Sequence, residues 1–303
     1  MKCTLMILML AVVATAAAQP ANDLKEYLEA VRKGSYDPVP PSVLKATEAM
    51  PLLDVLAAYE QDTIVRVRSR AYSIARRIGT KSEVPEVRAT VVDQLTMGIG
   101  DPDGGISGGC SGGLTGFAPD DFSVPVKAQI QAYLLPATPH LDQVAMLIGY
   151  LGYDPASASL QGLLQERLSS TNKWSVRLAL ARMGDQESVT FIMEKLTAAA
   201  VSDNLVYDVV PGLVYTREPA IFEFLEQIIR QDEPLCQSAD PDSSRKIRCG
   251  YRVLEYMAYA IEDFPIPTDE DGELELDDYE AGLQEVRAWF DSHETYSFKM
   301  DVY

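Results

Sequence analysis

KWSVRLALARMGDQESVTFIMEKL, residues 173–196, reads as two short amphipathic helices joined by a tight Gly-Asp corner. In the first helix Val176, Leu180 and Met183 share one face and Gly184 ends the run; in the second, Val189, Ile192, Met193 and Leu196 form the inward stripe. A pair this small cannot bury both apolar faces by itself, so it needs neighbours of its own kind. The chain supplies them. Gly152 precedes Gly184 by 32 residues, and Glu187-Ser188-Val189…Phe191 matches Glu218-Pro219-Ala220…Phe222 at a shift of 31. Each landmark falls at the same corner: between LIGYLG and SLQGLLQERL, between LALARMG and VTFIMEKL, and between VPGLVY and IFEFLEQII. A period of about 30–40 residues built from helix pairs predicts an all-α chain, an α-solenoid of stacked antiparallel helix pairs.

Working outward, helical pairs are expected from residue 43, over 43–60 and then 62–78, where Val67, Ala71, Ile74 and Ile78 point inward. Arg66, Arg68, Arg70, Arg76 and Arg77 form a basic stripe on that second helix, expected to be solvated or to pair with carboxylates of the helix before it. The segment 101–117, DPDGGISGGCSGGLTGF, is a Gly-rich loop by composition. By period it is a thin helix, because Ile106, Cys110, Leu114 and Phe117 recur at i, i+4, i+8 and i+11. Each interior glycine costs such a helix roughly 1 kcal/mol against alanine. The last helix, in DYEAGLQEVRAWFDSHETY, directs Leu283, Val286 and Phe290 or Trp289 inward and caps the stack. The closing SFKMDVY either pairs as a short strand or remains a tail.

The stretches DTIVRVRSRAYSIARRIG, KWSVRLALARMGDQESV and DPDGGISGGCSGGLTGF resemble the second helix, and the corner after it, of the HEAT-repeat family in its shorter bacterial form, related to the phycobilisome-lyase-like proteins. The resemblance spans residues ~43–290. It implies a curved superhelix whose concave side binds another protein or peptide. The bilin-attaching relatives carry a chemistry for which no motif stands here.

The chain opens with Met1-Lys2, an uncharged run of Leu, Met, Val and Ala, and the small residues Ala16-Ala17-Ala18, the order of a secretory signal peptide cut after Ala18. Pro20, Asn22 and Asp23 arrive too soon for a membrane span of about 20 residues, so no membrane insertion is expected and the mature protein is expected in the periplasm or outside the cell. The domains are then 1–18, signal peptide; 19–42, a helix carrying Leu24, Tyr27, Leu28 and Val31, capped by Asn22 and stopped by Gly34, with a Pro-rich linker; and 43–303, the repeat array. A monomer is expected.

The full chain carries a net charge of −19, and −20 once Lys2 is removed, which repels nucleic acid and anionic lipid. Export favours oxidised thiols, and Cys236 and Cys249 bracket the polar loop QSADPDSSRKIR, so they are expected to form a disulfide, with Cys110 left as a buried small residue.

Chemistry is sparse. Ser107 and Ser111 centre two overlapping G-x-S-x-G matches, the pattern of a hydrolase nucleophile, but the segment before them is helical and only His140 and His293 are available as a base. Asp269, Asp271 and Asp278 around Gly272 match a calcium loop in part: Pro267 stands at its first position and Asp278 where a bidentate glutamate belongs. No cofactor, metal centre or catalytic residue is assigned. The expected activity is that of a protein- or peptide-binding scaffold, with a Ca²⁺-dependent module through 269–278 as the alternative and a serine hydrolase behind both. Tyr150, Tyr153, Tyr207 and Tyr215, near equivalent helix ends, are the expected binding face.

Overall fold

A computed structural model describes residues 19–238, 244–269, 274–276 and 278–303. Residues 1–18, expected to be a signal peptide, Asp271 and part of the loop between Cys236 and Cys249 lie outside the described residues. The described chain is mostly helical and divides into two compact units, unit 1 up to residue 144 and unit 2 from 145 to 303.

In unit 1 the chain enters as helix α1, residues 19–32, which buries Leu24, Tyr27, Leu28 and Val31. Asn22 lies inside this helix rather than capping it, but the stop is where the glycine predicts it: Gly34 is left-handed, and Gly34 and Ser35 return their N–H groups to Val31 and Ala30. The helix expected over 43–60 is broken. A single turn, α2 (Pro41–Leu44), is followed by α3 (Met50–Tyr59), whose Pro51 fits only in a first turn, where its missing N–H costs nothing. Helix α4 (Val65–Lys81) buries Val67, Ala71 and Ile74, while Ile78 is half-buried. It packs on α5 (Pro85–Gly98), and both pack on α6 (Gly104–Leu114), the Gly-rich segment. Asp103 caps α6 by accepting the Ile106 N–H at 3.0 Å, and Ile106, Cys110, Leu114 and Phe117 are all buried. Helix α7 (Val124–Ala132) follows on a Ser123 cap.

Ion pairs tie corners of this unit to earlier helices, passing over at least one helix each time. Asp62 pairs with Arg32, Asp101 with Arg68 at 2.7 Å, and Asp121 with Arg88 at 2.8 Å; each carboxylate is only 5% exposed. Arg68 therefore pairs forward, with a corner 33 residues later, instead of with the preceding helix.

Helix α8 (Leu141–Tyr150) runs from the end of unit 1 into unit 2. Unit 2 continues with α9 (Ser157–Gln165), α10 (Ser170–Arg182) and α11 (Gln186–Thr197), then a π-helical turn (Leu205–Val209), α12 (Val210–Tyr215), α13 (Pro219–Arg230), α14 (Gly250–Ala258) and α15 (Tyr279–Ser292). The α10–α11 pair follows its sequence closely: Val176, Leu180, Val189, Ile192 and Leu196 are buried, Met183 and Met193 only half-buried, and Asp185 accepts the Ser188 N–H at 2.9 Å. The corner between them needs a left-handed residue, and it recurs: Gly152 (φ 54°), Gly184 (φ 85°) and Arg217 (φ 54°) stand 32 and 33 residues apart. A two-stranded ribbon, β1 (Cys236–Gln237) with β2 (Lys246–Ile247), spans the gap between α13 and α14, and Cys236 and Cys249 are joined in a disulfide. Closing a loop of that size contributes about 3 kcal/mol on the chain-entropy model. Among the described residues no helix is long and apolar enough to cross a membrane.

Two glycines test this account. Gly184→Ala forces a Cβ into left-handed backbone and is expected to cost about 1–2 kcal/mol, whereas Gly109→Ala, with open space around its Cβ position on an exposed helix face, is expected to stabilise by up to ~1 kcal/mol. Urea unfolding midpoints of the two variants check both signs.

Candidate functional site

The Gly-rich helix α6 does not present a nucleophile. Ser107 and Ser111 are fully buried, and their hydroxyls donate to the Ile99 and Ser107 carbonyls, both at 2.8 Å. Two of its glycines serve close packing: the His140 ring lies where a Cβ on Gly108 would sit, with Nε2 at 2.9 Å from the Gly104 carbonyl, and the Arg76 side chain lies where a Cβ on Gly113 would sit; Cys110 of α6 in turn lies against Gly98 of α5. A cavity of about 180 Å³ beside the helix is lined by Tyr72, Arg76, Gly105, Gly109 and Cys110 among others. The Cys110 thiol is pushed up to about 12, by burial first and then by the charges of Glu60 and Asp101. Such a thiol is inert at neutral pH. Glu60 is buried with no hydrogen-bond partner for Oε1, and burial raises its carboxyl to about 7 from an ordinary 4.5.

The expected tyrosine face divides. Tyr207 is 43% exposed and Tyr153 half-buried, but Tyr150 and Tyr215 are buried, so those two form no exposed edge. They turn inward because each hydroxyl has a main-chain carbonyl to meet: Tyr150 donates to Asp301 at 2.7 Å and Tyr215 to Met146. Of the calcium-loop candidates, Asp278 caps α15, accepting the N–H groups of Glu280 and Ala281, and Asp269 lies in the loop before it. Among the described residues no three His, Cys, Asp or Glu side chains are grouped to hold a metal ion.

What the sequence reading missed is a groove of about 850 Å³ in unit 2. It is walled by Leu164 of α9, by Trp174 and Arg177 of α10, by Phe191, Lys195 and Leu196 of α11, and by Leu205, Asp208 and Val209 of the π-turn. The π-turn forms where Pro211, at the head of α12, has no N–H to continue the ladder. Apolar surface lines most of the groove, and Lys173, Arg177 and Lys195 stand on its wall against one carboxylate, Asp208. The Arg177 guanidinium lies 4.9 Å and the Lys195 ammonium 5.4 Å from the centre of the Phe191 ring. Arg177 also reaches Glu187 and the Ser188 hydroxyl, at 3.1 and 3.2 Å. The pattern was present in the chain as Trp174 with Arg177 at i,i+3 and Phe191 with Lys195 at i,i+4 on consecutive helices. Read singly, these residues are ordinary surface cations and packing aromatics.

Neither the protein-family models nor the curated proteins compared with this chain give a match.

The buried carboxyl near the Gly-rich helix gives a pH signature. Because the folded-state value of Glu60 is raised, its contribution to stability is fully present below pH 4.5 and is lost as pH rises to about 7. Glu60→Gln removes this dependence. The variant is expected to gain about 3 kcal/mol on the wild type between pH 4.5 and 7.5, with no further gain above that, as read from urea unfolding at several pH values.

Proposed function

We propose that this chain is an exported helical-repeat protein, an α-solenoid of the HEAT type, that acts as a protein-interaction module. Its groove between α9, α10, α11 and the π-turn takes a segment of another protein that is apolar on one side and acidic on the other. The observation that carries the reading is the composition of that groove. In a chain of net charge −19 it sets an aromatic and aliphatic wall beside three cations. An apolar wall alone would accept many ligands. The cations reject basic ones and reward a carboxylate laid over Phe191, where desolvation strengthens the attraction. The remaining acidic surface repels an acidic partner and so confines it to this place.

The repeating left-handed corners at 152, 184 and 217 support the stacked-pair reading, and the Cys236–Cys249 disulfide is compatible with export. The apolar run before Ala18 supports a signal peptide.

The test uses residues 19–303 as bait for secreted and envelope extract, in parallel with a Lys173→Glu/Lys195→Glu bait. We expect the intact bait to retain a partner whose capture weakens with salt and the reversed bait to lose that partner at least tenfold. With Trp289→Phe leaving Trp174 as the sole indole, the partner is expected to shift the tryptophan emission. A partner retained equally by both baits, with Trp174 emission unchanged, would contradict the reading.

A further inference from the structure

Segment 297–303 lies in unit 2 as a bound peptide would. Phe298 makes one antiparallel bridge to Ile261, the Ser297 carbonyl accepts the Glu262 N–H at 2.9 Å, and the Lys299 N–H returns to Ala260 at 2.9 Å. Beyond that point the contacts are made almost wholly through main-chain carbonyls. Arg217 donates from Nε to Lys299 O at 3.2 Å and from Nη2 to Val302 O at 3.2 Å; Arg182 donates from Nη2 to Met300 O at 3.4 Å and Val302 O at 3.0 Å; Tyr150 takes Asp301 O. The side chains of Met300, Asp301 and Val302 are exposed. Side chains are read at the two ends and at Lys299: Phe298 packs on Phe222 with ring centres 4.6 Å apart, the Tyr303 ring sits 5.5 Å from Tyr150 and 5.3 Å from Tyr215, and Lys299 Nζ donates to the Ala258 carbonyl at 3.2 Å.

The receiving surface is built independently of that segment. Arg182 and Arg217 are both buried, and each is also anchored within the helical framework, Arg182 to the Tyr215 carbonyl at 2.6 Å and Arg217 to the Val214 carbonyl at 2.5 Å. Arg182 lies over both the Tyr150 and Tyr215 rings, at 5.1 and 4.7 Å. Burial first, and then repulsion from the neighbouring Arg182 guanidinium, brings Arg217 down to about 10. Such a pair is retained where carbonyl oxygens are supplied to it, and Arg182 Nε is still a buried donor without a partner. Besides the Lys299 ammonium on Ala258, the slot meets backbone polarity and two aromatic rings five residues apart, features that another peptide can present equally.

We propose that Tyr150, Arg182, Tyr215 and Arg217 form a receptor slot for an extended peptide with aromatic residues at i and i+5, which segment 297–303 fills in cis. A partner peptide of that pattern binds by displacing the segment. The slot shares no residue with the Trp174 groove, so this inference stands apart from the function proposed above.

The test is fluorescence anisotropy with a labelled peptide of sequence SFKMDVY, titrated with the full chain and with a chain stopped after Tyr296 and shown to be folded by its circular dichroism melt. The shortened chain is expected to bind the peptide saturably and the full chain at least tenfold more weakly. Alanine at the Phe and final Tyr positions of the peptide, or Arg217→Met in the shortened chain, is expected to weaken binding at least tenfold. A folded shortened chain that does not bind, or equal binding by both chains, overturns the proposal. Should the shortened chain not fold, hydrogen exchange on the full chain decides. The Lys299 amide is then expected to exchange at least a hundredfold faster than amides within α13 and α14, through local release of the segment; exchange at the same rate as those core amides overturns it.

Discussion

A carboxylate that stays charged while buried at a helix corner has to be paired, and in unit 1 that requirement sets the spacing of the helices. Asp62, Asp101 and Asp121 each sit almost out of water and each meets an arginine 30 to 33 residues earlier. Burial alone would push the Asp62 and Asp101 carboxyls up. Hydrogen bonds outweigh it and bring both below the usual carboxylate range: for Asp62 from the Ile64 N–H and then Arg32, for Asp101 from Arg68 and then the Asp103 N–H. The same carboxylates accept main-chain N–H groups at the corner, so one side chain both turns the chain and ties it to an earlier helix. Removing the arginine leaves a carboxylate that is almost out of water without its charge partner, most severely at Asp101, whose Arg68 is itself only 11% exposed. The apolar stripes decide that helices pack; these pairs decide at what interval.

Much of this was legible in the chain because periodicity survives poor composition. The Gly-rich segment has almost no helix propensity, yet Ile106, Cys110, Leu114 and Phe117 fall on one buried face, since burial of that stripe outweighs the entropy its glycines lose. The corner glycines at 152 and 184 were readable for the same reason, while Arg217 was not. It occupies the third left-handed corner with no glycine to mark it, held there by guanidinium hydrogen bonds to Val214, Lys299 and Val302 that only the folded chain reveals. The break at 45–49 was missed because Pro51 reads equally as an interruption or as a first turn.

The sites were less legible than the fold. Tyr150 ends α8 and Tyr215 ends α12, but their exposure depended on segment 297–303, whose position no local pattern fixes. The groove needed three helices and a π-turn brought together, and each of its cations taken singly reads as an ordinary surface lysine or arginine. Both features sit in unit 2, and in both an acidic chain gathers guanidinium or ammonium groups beside aromatic rings. The pairing favours ligands that bring oxygen acceptors together with apolar surface, which is a property of peptides more than of nucleic acid or metal ions.

The central claim is that partners are taken at the Phe191 wall of the groove. Site-specific photo-crosslinking tests it directly: a benzophenone amino acid replaces Phe191 in one full-length chain and the fully exposed Tyr36 of unit 1 in another, and each is irradiated in secreted and envelope extract. The account predicts an adduct from position 191, mapping by mass spectrometry to a segment that alternates acidic and apolar residues, and none of that protein from position 36. An adduct of the same partner at 36 but not at 191, or a basic segment crosslinked at 191, would contradict it.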